Sequence, residues 1–90
     1  MTEIRSNREI WGRPFPIGGE WDAGHTPVRQ GVVQGRYTAR RALGSWEVVF
    51  QPLNGESEQL LGTFPPTEEG EIQAKNFAVE KLEEVWTRSR

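Results

Sequence analysis

The sequence predicts an α+β fold: a three-stranded antiparallel sheet with one C-terminal helix packed on one face, preceded by an extended aromatic N-terminal arm. Three observations predict it. Residues 11–31, "WGRPFPIGGEWDAGHTPVRQG", mix three Pro and five Gly with large apolar side chains. Residues 32–64 alternate β-favouring runs with turn residues. Residues 67–88 carry apolar positions at helical spacing, behind Pro65 and Pro66. The 90 residues make one domain. A domain of that size has a small core, so each large side chain matters.

The arm comes first. Its density of Pro and Gly excludes a helix and disfavours a long strand. Trp11, Phe15, Ile17 and Trp21 are too apolar for a free tail. The expectation is an extended segment over 11–31, wrapped on the domain and pinned by those four. Residues 1–10, "MTEIRSNREI", are polar and expected to be weakly ordered.

The meander follows over 32–64. The first strand is expected at about Val32 to Leu43, with Gly35 as a bulge or flexible entry. The second is Trp46 to Leu53, "WEVVFQPL", rich in β-branched and aromatic residues. The third runs from about Ser57 to Phe64. Leu43-Gly44-Ser45 turns the chain between the first two. Asn54-Gly55, which tolerates positive φ, turns it between the second and third. Alternation places Trp46, Val48 and Phe50 on one face and Glu47, Val49, Gln51 and Leu53 on the other. The helix is expected on the Trp46/Val48/Phe50/Leu61 face.

The helix over 67–88 has Thr67 as N-cap. Glu68, Glu69 and Glu71 in its first turn complement the helix dipole, as do Arg88 and Arg90 near its far end. At 100° per residue, Ile72, Ala74, Ala78, Val79, Leu82, Val85 and Trp86 fall on one broad arc. Phe77 falls at its flank. Gly70 weakens the first turn by about 1 kcal/mol relative to Ala.

Composition bounds the chemistry. There is no cysteine, which excludes disulfides, thiolate nucleophiles and thiolate metal sites. No apolar run approaches the roughly 18 residues of a membrane span. The start is no secretory signal, so the expectation is a cytoplasmic protein. The net charge is −2, against a generic nucleic-acid sponge. The charge is unevenly placed, however. Residues 1–46 hold seven Arg against four acids, and residues 47–90 hold four basic residues against nine acids. Arg forks suit phosphate and carboxylate.

Candidate catalytic groups are sparse. His25 is the one histidine, three residues after Asp22. An Asp-x-x-His pair can orient an imidazole for base catalysis, but no nucleophile elbow accompanies it. A turn-packing role is expected. One His with scattered acids supplies no metal-ligand spacing, and Gly18-Gly19 lacks the Lys and helix context of a phosphate loop. No enzyme, cofactor or metal is expected. Glu80, Glu83 and Glu84 read as a solvated helix face that a partner could also use.

The stretch from Arg36 to about Leu82 resembles the AP2-type DNA-binding domain and its relatives, the arm-binding N-terminal domains of phage tyrosine integrases. Gly44-Ser45-Trp46, "EVVFQP", Asn54-Gly55, "LLGTF" at 60–64, Thr67-Glu68-Glu69 and "AKNFAVEKL" carry the resemblance. It implies double-stranded DNA binding through the sheet face opposite the helix, with strands in the major groove. Arg36 and Arg41 stand where the family uses basic contacts on its first strand. Ala39 stands for another Arg, Leu43 and Leu60 for Trp, Val49 for Glu, and Gln51 and Glu58 for Arg. Most of the plant-type reading set is thus replaced.

Two functions follow as expectations. The first is a small non-enzymatic nucleic-acid-binding module, with Arg36, Arg40 and Arg41 on phosphates or base edges. Arg29 and Arg13 on the arm would assist, with Gln51 beside them. The second is a small protein-binding factor, a phage-type inhibitor or regulator. It would use an apolar sheet face of Ala39, Leu43, Val49 and Leu60, or the acidic helix. An exposed apolar face marks an interface, unless the arm covers it with Trp11, Phe15, Ile17 or Trp21.

Overall fold

A computed structural model describes residues 17–88. The expectations for residues 1–10, Trp11, Arg13 and Phe15 lie outside the described residues. Four strands and one helix follow in chain order: β1 Trp21–His25, β2 Gly35–Ala42, β3 Ser45–Pro52, β4 Gln59–Phe64 and α1 Glu68–Arg88. The strands form one antiparallel sheet in the order β1-β2-β3-β4.

The fold class and the C-terminal helix are as the sequence predicts, but the sheet has four strands rather than three. The added strand, β1, lies where an extended arm was expected. Trp21 and Ala23 turn to the core while Asp22 turns out. The glycine that argued against a strand is absorbed by a register shift between Asp22 and Gly24. Gly24 has φ +140°, a conformation other residues rarely adopt, and its amide donates to Asp22 Oδ1 at 2.9 Å.

The β2–β3 hairpin is tight, with Ala42 opposite Ser45 and only Leu43 and Gly44 between. The connection from β3 to β4 spans 53–58, where Asn54 Oδ1 accepts the Glu56 amide at 3.0 Å. It is longer than the two-residue turn that Asn-Gly suggests, because β4 begins only at Gln59.

The helix packs on the face that alternation selects. Trp46 and Val48 from β3, Ala39 from β2 and Ala23 from β1 meet Ala74, Ala78, Val79 and Leu82. Leu61, Phe64, Phe77, Ile72 and Trp86 pack around them. The three alanines Ala39, Ala74 and Ala78 are 0% exposed, so helix and sheet approach closely. Burying this apolar set is the main force holding the layers together.

Thr67 caps the helix as expected, its Oγ1 accepting the Gly70 amide at 3.0 Å. Gly70 is more than a weak helix former. It is buried against the Pro65 backbone, and a Cβ there would meet the Pro65 carbonyl oxygen at 1.8 Å. The Pro65-Pro66 reversal folds the chain back so tightly that only glycine fits.

Glu71 also departs from expectation. It does not simply face solvent as a dipole partner. It is buried, and its Oε2 accepts from Lys75 Nζ at 2.6 Å and from the Gly18 and Gly19 amides at 2.6 and 3.4 Å. Lys75 is buried too, with Nζ 5.4 Å from the Trp46 ring centroid. Burial works to raise the Glu71 carboxyl, but these hydrogen bonds and the Lys75 charge hold it below the ordinary range. The pair thereby fastens the segment before β1 to the start of the helix.

The helix crosses the sheet diagonally. Its first half lies by β4, where Phe77 meets Phe64 at 5.5 Å between ring centroids. Its last turns reach β1, where Trp86 Nε1 donates to the His25 carbonyl at 3.1 Å. The corner of the sheet at Phe50, Gln59 and Leu61 is therefore left beside the helix rather than beneath it.

Candidate functional site

Three surfaces can carry a function: the sheet face away from the helix, the β4 edge, and the uncovered corner. The sequence-predicted residues are divided among them.

On β2, even-numbered residues point away from the helix. Arg36, Thr38 and Arg40 lie opposite Gln51, Val49 and Glu47 of β3. Each of these two arginines is already engaged. Arg36 donates to Asp22 Oδ2 at 2.7 Å. Arg40 bridges Glu47 at 3.2 Å and Glu58, which it grips with both terminal nitrogens at 3.1 and 2.5 Å. The Arg40 fork holds the Glu58 carboxyl below its ordinary range. Thr38 Oγ1 donates to Gln51 Oε1 at 3.3 Å. Asp22, Glu47 and Glu58 thus neutralise the two arginines on this face.

The structure does not bring the expected residues together. Arg41 belongs to the opposite parity from Arg36 and Arg40, and sits at the hairpin end. Its guanidinium donates to the Ala42 and Ser45 carbonyls. Arg29 is in the loop between β1 and β2. The expected Arg patch is therefore dispersed.

The expected apolar face is dispersed as well. Ala39 pairs with Val48 and is sealed under the helix, not displayed beside Val49. Leu43 is fully exposed at the β2–β3 turn. Val49 and Leu60 do face each other across β3 and β4, but Val49 is 1% exposed and Leu60 58%. Only Leu60 of the pair is available as apolar surface. The misplacement of Ala39 follows from register: it is opposite Val48, so it must share Val48's face.

β4 forms one edge of the described sheet and β1 the other. In the described sheet β4 has β3 as its single neighbour, and Gln59, Leu60 and Thr63 are exposed. An edge strand offers unpaired backbone donors and acceptors.

The corner holds a cleft of about 660 Å³. Its floor is Tyr37, Phe50 and Leu61, with Tyr37 and Phe50 rings 5.0 Å apart. Val85 and Arg88 of the helix form one wall, and residues 29–33 of the β1–β2 loop form another. Glu56 and Gln59 lie at the mouth. The loop wall is held shut at its base. Thr26 Oγ1 donates to the Val33 carbonyl and accepts the Gly35 amide, both at 3.1 Å, and Gln34 Nε2 donates to the Pro27 carbonyl at 2.8 Å. Burial raises the Tyr37 hydroxyl above its usual pKa, with Arg88 acting against this and Glu84 with it. The hydroxyl is therefore protonated at neutral pH.

Sequence reasoning did not find this cleft. Its residues are far apart in the chain, and only the helix crossing direction brings them together. Val85 sits at the end of the predicted apolar arc, which was the one available signal.

Asp22 and His25 do not form an acid–base pair. Asp22 serves Arg36 and Gly24, while His25 Nδ1 donates to the Thr26 carbonyl at 2.8 Å. Among the described residues no group of three or more His, Asp or Glu is placed to hold a metal. No described helix is long and apolar enough to cross a membrane.

The class these features define is a four-stranded antiparallel sheet backed by one helix, with a polar neutralised face, an open edge and a corner cleft. Comparison with family models, with curated proteins and with solved structures finds no match to this chain.

Proposed function

We propose that the chain is a small protein-binding module that takes a partner segment along the β4 edge, with Leu60 as the apolar anchor. The supporting observation is the contrast between edge and face. Leu60 is 58% exposed on a strand with one described neighbour. On the adjoining face, Arg36 and Arg40 are occupied by Asp22, Glu47 and Glu58. Strand addition supplies backbone hydrogen bonds for affinity and alternate side chains for specificity. A displayed peptide library panned against the protein tests the reading. Selected peptides are expected to alternate apolar residues and to lose binding to Leu60→Asp. Enrichment that is indifferent to Leu60→Asp overturns the edge as the site.

A second reading is double-stranded DNA binding, which the resemblance implies. The exposed guanidiniums of Arg29 and Arg41, neither in a described ion pair, favour it. It requires salt-sensitive binding of short duplex DNA that Arg41→Ala and Arg29→Ala weaken, with a shallower salt slope. A fluorescence titration without binding at low salt removes this reading and leaves the first standing.

A further inference from the structure

We propose that the corner cleft is a binding site for a small anionic amphipath: an apolar body seated on Tyr37, Phe50 and Leu61, with its acidic group held by Arg29 and Arg88. The inference is independent of the β4-edge reading.

Shape is the first support. The volume of about 660 Å³ lies within the roughly 300–1,000 Å³ range of small-molecule sites. The cleft is not a gap in a loose core. It arises because the helix leaves the sheet corner on its way to β1, and because Thr26 and Gln34 brace the loop on the far side.

Charge is the second. Arg29 stands on the loop wall and Arg88 on the helix wall. No carboxylate among the described residues pairs with either. This sets them apart from Arg36 and Arg40, which are each ion-paired. Glu56 is the acid that lines the cleft, and Glu84 acts on the Tyr37 hydroxyl from the helix, while Arg29 and Arg88 are the two cations of the lining. Two arginines lining a cleft with an apolar floor complement a carboxylate or phosphate on a hydrocarbon or aromatic body. A neutral ligand would make no use of the two cations, and a bare anion would leave the floor in water. Tyr37 adds a protonated hydroxyl that makes no hydrogen bond within the described residues, so it is free to serve the ligand's head.

The test uses the isotopically labelled full chain and three probes at neutral pH: decanoate, decanol and acetate. Amide spectra are expected to show saturable decanoate binding, with shifts at Val32, Val33, Tyr37, Leu61 and Arg88. Decanol and acetate are each expected to bind at least tenfold more weakly. Arg29→Gln combined with Arg88→Gln is expected to weaken decanoate about tenfold or more and to leave decanol unchanged. Leu43→Ser, remote from the cleft, is expected to bind as the parent does. Equal affinity for decanol and decanoate overturns the anionic assignment. Equal affinity for acetate overturns the apolar one. Shifts that do not saturate, or that map elsewhere, overturn the site.

Discussion

Gly70 and Pro65 touch through their backbones: a Cβ added to Gly70 would lie 1.8 Å from the Pro65 carbonyl oxygen. Two effects of Gly70→Ala oppose each other. Helix propensity favours the alanine by about 1 kcal/mol. The clash is with backbone, which has no rotamer to yield. Overpacking of this kind costs about 1–3 kcal/mol, and here the whole strand-to-helix reversal must shift. Gly70→Ala is therefore expected to destabilise the protein in urea unfolding. A raised midpoint would show that the reversal relaxes freely.

The buried pair of Glu71 and Lys75 sets an acid limb of stability. The folded carboxyl lies below its ordinary range, so the unfolded chain takes up the proton first on acidification. The contribution is complete above the unfolded value, about 4.3, and is lost as pH falls through the folded one. Wild-type stability is expected to fall more steeply below about pH 4.5 than that of Glu71→Gln. Glu71→Ala, which takes the carboxylate partner from the buried Lys75, is expected to cost about 3–5 kcal/mol at neutral pH. Parallel acid limbs for wild type and Glu71→Gln would count against the pair.

Ala39 lies on the helix-facing side of β2. With 0% exposure beneath the helix, Ala39→Arg has no room and no partner for its charge. Loss of cooperative unfolding is expected. Leu60→Ser, on exposed edge surface, is expected to change stability by no more than about 0.5 kcal/mol. Thermal denaturation of both variants checks the assignment of faces.

Thr26 joins the two ends of the β1–β2 loop through one buried hydroxyl. Thr26→Val keeps the shape and leaves the Gly35 amide without that acceptor. A cost of about 1–3 kcal/mol is expected, together with weaker decanoate binding, since the loop carries Arg29. Unchanged decanoate affinity in a destabilised variant would separate the loop's bracing from ligand capture.

Much of the scaffold was legible because it rests on local patterns. Period-2 alternation in "WEVVFQP" chose the helix-facing side correctly, and Pro65-Pro66-Thr67 located the helix start. The strand Trp21–His25 was obscured because glycine and proline counts speak against strands, while a bulge can absorb a single Gly24. Glu71 and Lys75 were legible in principle. They sit at i, i+4 on the same stripe as Val79 and Leu82, so their burial follows from the spacing that places those residues in the core. The face of Ala39 needed the strand register, which depends on where the β2–β3 turn falls. The cleft needed the crossing direction of the helix, which no local pattern encodes.

The Gly18–Glu71 and His25–Trp86 hydrogen bonds span 53 and 61 residues of chain. Each strand, by contrast, pairs with its neighbour in the chain. Local closure is entropically cheaper and generally faster. The order of assembly that follows is sheet first and helix onto it. The two edge strands, each with one described neighbour, should open more readily than the inner pair. Amide exchange is therefore expected to be slowest in β2 and β3 and faster in β1 and β4. The loop wall of the cleft, hung between β1 and β2, would then inherit the mobility of an edge strand.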